Sequence, residues 1–215
     1  ILVLIGVALS LWAQGRVNST FSRYSRVRSM TGMTGAEAAR RLLNAQGIYD
    51  VTVQQIAGEL TDHYDPRTKT VNLSQSVYGA TSVAAIGVAA HECGHAMQDN
   101  EGYAPLRFRS ALVPVANFGS SLSWPLILLG LVFGGLGSPL VEIGILMFSL
   151  AVLFQLVTLP VEYNASARAV RLLDAQGILA GEEVNGTRKV LNAAALTYVA
   201  AAATSILQLL RLIIL

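Results

Sequence analysis

Between Arg109 and Glu142 the chain runs for 32 residues without one charged side chain. A helix crossing the hydrocarbon core of a bilayer needs about 20 mostly apolar residues, so this run is long enough to cross. Two more uncharged stretches follow, 19 residues from Ile143 to Val161 and 21 from Val190 to Leu210. Lipid offers no partner to backbone N–H and C=O groups, so each stretch is predicted to be a helix that satisfies its own. Of the 215 residues 53% are hydrophobic and 13% charged, against about 25% charged in a soluble domain. That supply cannot cover a soluble enzyme, and it excludes intrinsic disorder. A net charge of +2 with scattered Lys and Arg argues against a nucleic-acid partner. The single cysteine, Cys93, excludes an internal disulfide framework and a cysteine-only metal site.

Ile1 to Ala13 is apolar apart from Ser10 and too short to cross alone. It is read as a truncated first span, 1–14, in preference to a signal peptide, because no small-residue cleavage site precedes Gln14. The second and third spans are expected within 110–161 and the fourth within 190–215, four in all. Gly134-Gly135-Leu136-Gly137-Ser138-Pro139 reads as a tight turn that makes spans two and three an antiparallel hairpin. Gly130 and Gly134 have the GxxxG spacing of close helix pairs, which chance in a glycine-rich segment explains equally well; it specifies no oligomeric state. Ten of the 15 Lys and Arg lie between Gln14 and Arg109, and Arg168, Arg171, Arg188 and Lys189 follow the third span. Such residues concentrate in cytoplasmic loops. Both polar segments, 15–109 and 162–189, are therefore expected in the cytoplasm, with both termini outside.

Thr34, with Glu37 three residues on, reads as a capping box that opens a helix ending at Gly47. Its text recurs, Arg41 to Ile48 matching Arg171 to Ile178 with one substitution; two similar amphipathic helices with glycine stops account for this better than duplication. Val51 to Gln54 and Glu59 to Ser74, with a turn at Asp65-Pro66-Arg67-Thr68, predict strands and a β-hairpin. From Thr81 a helix with a short apolar lead-in is expected to be buried in this polar domain rather than to cross a bilayer.

That helix carries His91-Glu92-Cys93-Gly94-His95. At about 100° per residue, positions i and i+4 share a face, so both imidazoles can reach one zinc ion, with Glu92 as general base to a water. Satisfied structural histidines are the bland alternative. Cys93 points away from the shared face and is read as a small packing residue. The longer HExxHxxGxxH pattern fails, since Gln98 and Glu101 stand where it needs glycine and histidine. Glu162 stands out as a third ligand, because a lone carboxylate ending an uncharged span is costly unless paired, metal-bound or already in water.

Met30 to Glu37, Leu60 to Thr68, His91 to Gln98 and Glu162 to Ser166 together resemble the YugP-type membrane zinc metallopeptidases, over essentially the whole chain. That family is similar in layout to the HtpX-type and CAAX-prenyl membrane gluzincins. The resemblance implies one Zn2+ held by His91, His95 and Glu162, with Glu92 as base. It also implies an integral protein of a prokaryotic inner or plasma membrane. The fold expected is mainly α-helical: four spans plus a small α+β, zincin-like cytoplasmic domain with a β-hairpin. Ser166 stands where the HtpX-type motif has an aspartate that would orient the second histidine, and is expected to do so more weakly. By analogy with an edge strand that binds substrate, His63 can stabilise an oxyanion or touch the metal, the alternative being a solvent-facing strand histidine. Arg168 and Arg171 are candidates for a substrate carboxylate or for a solvated basic face.

The expected activity is endopeptidase hydrolysis at the cytoplasmic membrane surface, in which Glu92 assists attack by a zinc-bound water. The expected partners are the lipid bilayer and a peptide or membrane-protein substrate. A site-2-type intramembrane protease is a weaker alternative, because the later spans lack an interior aspartate. A non-enzymatic membrane scaffold with a structural zinc is another, disfavoured because such sites use four protein ligands.

Overall fold

The computed structural model describes residues 1–214 and is mostly helical with one small sheet; Leu215, which closes the expected fourth span, lies outside the described residues. The chain packs into two compact units. One comprises Ile1–Gln14, Ala104–Val161 and Leu196–Leu215; the other comprises Gly15–Tyr103 and Glu162–Ala195. The first is called the apolar unit below and the second the polar unit.

Helix α1 runs Leu2–Ser25, so the helix continues past the apolar start through polar residues that are equally compatible with it. Helix α2, Gly35–Ala45, begins as expected: the Thr34 side chain accepts from the Glu37 N–H while the Glu37 carboxylate accepts from the Thr34 N–H. Its end is set by Gly47 at φ +70°, with Ile48 N–H donating to Leu43 O at 2.9 Å. The strands are β1 Thr52–Ile56, β2 His63–Asp65 and β3 Thr70–Ser74. β2 and β3 form the expected antiparallel hairpin, with Asp65 opposite Thr70. β1 pairs with β3 in parallel, which puts fully buried β3 in the middle of the order β1-β3-β2.

A short helix, α3 Gln75–Tyr78, leads to α4, Val83–Asn100, capped by Ser82 Oγ accepting from Ala85 N–H. α4 is the buried helix of the polar unit, as its short apolar lead-in predicts. Leu42, Leu43, Leu73, Ile86, Leu173 and Ile178 are all fully buried in one core there. Removing such side chains from water contributes about 1.5–3 kcal/mol each.

The remaining helices are α5 Ala104–Gly134, α6 Pro139–Ala175 and α7 Glu182–Ile214. Among the described residues these three are long and apolar enough to cross a membrane. The break between α5 and α6 falls where the glycine-rich turn was expected. Within that hairpin a Cβ on Gly130 would lie 2.7 Å from Ser138 Oγ and from Val141 Cγ2, so this glycine serves close packing of α5 on α6. α6 does not stop at Val161: Glu162 to Ala175 continue it, until Gly177 at φ +60° ends it.

Candidate metal centre

α4 presents His91 and His95 one turn apart, with ring centroids 4.7 Å apart and ring planes edge-on. The third member comes from α6. Gly94, between the two histidines, lets the helices meet: a Cβ there would sit 2.6 Å from Ala165 O, so any larger residue would push α6 away. At that approach Glu162 Oε2 stands 3.2 Å from His91 Nε2 and 3.5 Å from His95 Nε2. The ligand atoms of His91, His95 and Glu162 all lie within 4.8 Å of one another, and the Glu162 side chain is only 3% exposed.

Each imidazole is oriented from its other nitrogen. Ser166 Oγ lies 3.1 Å from His91 Nδ1. Gln98 Oε1 lies 3.0 Å from His95 Nδ1, and because a carbonyl oxygen only accepts, that nitrogen donates. His95 Nε2 is then the nitrogen left to face the carboxylate, with its lone pair when the ring is neutral and as a donor when it is protonated. Gln98 is itself held, its Nε2 donating to Asn164 Oδ1 at 3.0 Å. Asn164 Oδ1 also accepts from Arg168 Nε at 2.7 Å, and Arg168 forms an ion pair with Glu101 at 2.8 Å. A chain of bonds therefore runs from His95 through Gln98, Asn164 and Arg168 to Glu101.

Electrostatics point the same way. Burial disfavours the charged form of His95, yet the Glu162 bond, the charges of Glu92 and Glu162 and the Gln98 bond together raise its pKa above the ordinary imidazole value. The cluster attracts a cation. The donor set, two imidazole nitrogens and one carboxylate oxygen, is one that catalytic zinc uses with a fourth position left open. Tetrahedral bonds of about 2.0 Å place neighbouring ligand atoms roughly 3.3 Å apart, and the two Nε2–Oε2 separations bracket that value. These residues fit a zinc ion.

The other expected residues fall as follows. Glu92 is 8% exposed on α4, and its charge acts on His95. Cys93 is fully buried, its Sγ 3.6 Å from Ala39 O, and burial pushes its thiol pKa up; it is a packing residue. Ser166 was expected at the second histidine but reaches the first, because α6 passes α4 with its next turn beside His91. Arg168 bonds Asn164, pairs with Glu101 and lies over the Tyr103 ring. His63 is exposed on β2, bonded through Nδ1 to Thr61 O and through Nε2 to Asn72 Nδ2, and is not among the converging ligands. Sequence reasoning missed Gln98 and Asn164. The signal for Gln98 was its place three residues after His95, on the same helix face.

The family profile described as "Putative neutral zinc metallopeptidase" matches residues 1–215. Over 212 residues the chain is 50% identical to "Putative membrane protease YugP" of Bacillus subtilis (strain 168), covering 99% of this chain and 93% of that protein. No solved structure matches.

Proposed function

The chain belongs to the neutral zinc metallopeptidase family, and from that premise we propose that it is a membrane-bound zinc-dependent endopeptidase. It would act at the cytoplasmic surface of a prokaryotic cell membrane, anchored by α5, α6 and α7 and by the apolar start of α1 as a fourth span. One observation carries this reading: both histidine Nε2 atoms converge on one Glu162 oxygen, while each Nδ1 is committed to a separate oxygen. A bound zinc ion would supply a Lewis acid for the scissile carbonyl and lower the pKa of an attacking water.

The chain's own residues do the rest. His91, His95 and Glu162 bind. Ser166 and Gln98 hold the two rings so that Nε2 faces inward, which fixes tautomer and direction together. Glu92 accepts a proton from water at its carboxylate and returns it to the leaving amine nitrogen, so it ends the cycle as it began. Three protein ligands support catalysis over a structural role, which needs four.

Purified full-length protein tests the proposal through zinc stoichiometry and hydrolysis of quenched peptides. Glu92→Gln is expected to keep zinc and lose turnover about 10²–10⁴-fold, the usual contribution of general acid–base catalysis. His95→Ala is expected to lose the metal. Turnover retained in Glu92→Gln, or zinc retained in His95→Ala, overturns the mechanism. Sidedness is tested separately by Arg67→Cys, since that side chain is 90% exposed. Labelling by a membrane-impermeant thiol reagent in inside-out vesicles, and not in intact cells, is the expected result; the reverse puts the site outside.

A further inference from the structure

A groove of about 480 Å³ runs between the second half of α6 and the first half of α7. Tyr163, Ser166 and Val170 of α6 face Val184 and Leu191 of α7 across it, and Arg171 and Arg188 also border it. Among the described residues neither arginine has a carboxylate partner, although Asp174 shares the groove. The repeated octapeptide sharpens the point. Arg41 opens the first copy and donates to Gln176 O at 2.9 Å, whereas Arg171 opens the second copy and borders the groove instead. Ser166 joins the groove to the metal centre, since it lines the one and bonds His91 Nδ1 of the other.

We propose that this groove is a specificity subsite that takes an acidic side chain of the peptide substrate, an inference that rests on the peptidase reading above. Arg171 and Arg188 hold the carboxylate through charge-assisted hydrogen bonds, and Val170, Val184 and Leu191 pack against the substrate's aliphatic atoms. A helix rises 1.5 Å per residue, so Arg171 lies roughly 7 Å along α6 from Ser166 and roughly 14 Å from Glu162. An extended peptide advances about 3.3 Å per residue. The acidic residue therefore falls about two to four residues from the bond that is cut.

The test steps a single Glu through an otherwise neutral, C-terminally amidated fluorogenic peptide and compares each with its Gln counterpart, using zinc-loaded full-length protein. The expected result is a kcat/KM ratio of about tenfold or more at one of those positions, carried mainly by KM. Arg171→Gln or Arg188→Gln brings the ratio close to one, and Arg171→Glu turns the preference towards Lys. Anisotropy of the fluorescein-labelled Glu and Gln peptides on the Glu92→Gln variant reads the groove without turnover. Selective binding of the Glu peptide without cleavage by the wild type sinks the peptidase reading while supporting the carboxylate site. Equal binding of both peptides, or a preference that survives Arg171→Gln, overturns the subsite. A preference seen only with a free C-terminal carboxylate overturns it too, by assigning the arginines to chain ends. So does arginine-dependent binding of phosphatidylglycerol vesicles with no peptide effect, which assigns them to lipid headgroups.

Discussion

The two units expose different kinds of residue. In the apolar unit Leu128 and Phe133 stand 57% and 79% exposed, while Ser123 and Gly130 are buried. In the polar unit the large aliphatic side chains are inside and the charges mostly outside. Buried polar side chains are satisfied in two ways. Ser123 Oγ donates to Ser120 O and Thr158 Oγ1 to Phe154 O, each within its own helix. Ser166 and Gln98 instead serve the imidazoles of His91 and His95, and Gln98 reaches on to Asn164 of another helix. Polar groups satisfied locally make a scaffold indifferent to its neighbours. Polar groups satisfied across elements fix the relative positions of side chains far apart in sequence, as a site requires.

The contrast in apolar residues gives the largest expected effect. Leu173→Ala in the core of the polar unit should cost about 2–5 kcal/mol, the usual range for a buried leucine that leaves a cavity. Leu128→Ala on the outer face of α5 should stay within about 0.5 kcal/mol in detergent, as surface substitutions do. Denaturant unfolding followed by circular dichroism checks both. Equal costs would mean that Leu128 is covered by protein and that this face of α5 is not exposed.

The contrast in hydroxyls gives the next. Ser166→Ala leaves His91 Nδ1 without its hydroxyl partner and should weaken zinc about 10–100-fold, the usual cost of losing a partner that orients a metal ligand. Ser123→Ala removes a bond that its helix makes to itself and should leave zinc affinity unchanged. Competition with a chelator of known affinity measures both. A Ser166→Ala protein with wild-type affinity would show that ring packing alone orients His91.

Local signals were legible in the sequence because their physics is local. The Thr34–Glu37 box, the turn at Pro66, the glycine-rich break before Pro139 and the one-turn spacing of His91 and His95 each depend on residues within a few positions. The helix overruns past Gln14 and Val161 were not, because a polar residue ends a membrane crossing without ending a helix. Nor was the parallel β1–β3 pairing, because the chain leaves β1, passes through β2 and only then forms β3 between the two. At the site, Glu162 was legible as an expensive carboxylate, but the partner of Ser166 was not. Which histidine the next turn of α6 meets is decided by where α6 crosses α4, and that crossing is set by the contact of Gly94 with the Ala165 backbone. The Arg168 ion pair was hidden for the same reason: Glu101 is its neighbour only in space.

Asp62 carries the comparison to its smallest expected effect, one that shows in pH dependence. Its carboxylate accepts from Ser74 N–H at 2.8 Å and from Ser74 Oγ at 3.0 Å, tying the start of the hairpin to the end of β3. Burial raises its pKa above the ordinary carboxylate value, and the Ser74 bonds oppose that without cancelling it. A carboxyl whose folded pKa exceeds its unfolded one contributes stability that is complete below the unfolded value and is lost as pH rises through the folded value. Hydrogen exchange at the Val71–Ser74 amides should therefore show wild type losing protection relative to Asp62→Asn as pH climbs from about 4, after correction for intrinsic rates. The locally bonded hydroxyls of the apolar unit offer no such slope. A slope of the opposite sign would mean that the Ser74 bonds outweigh desolvation, so that the link between elements, and not the burial around it, governs this carboxylate.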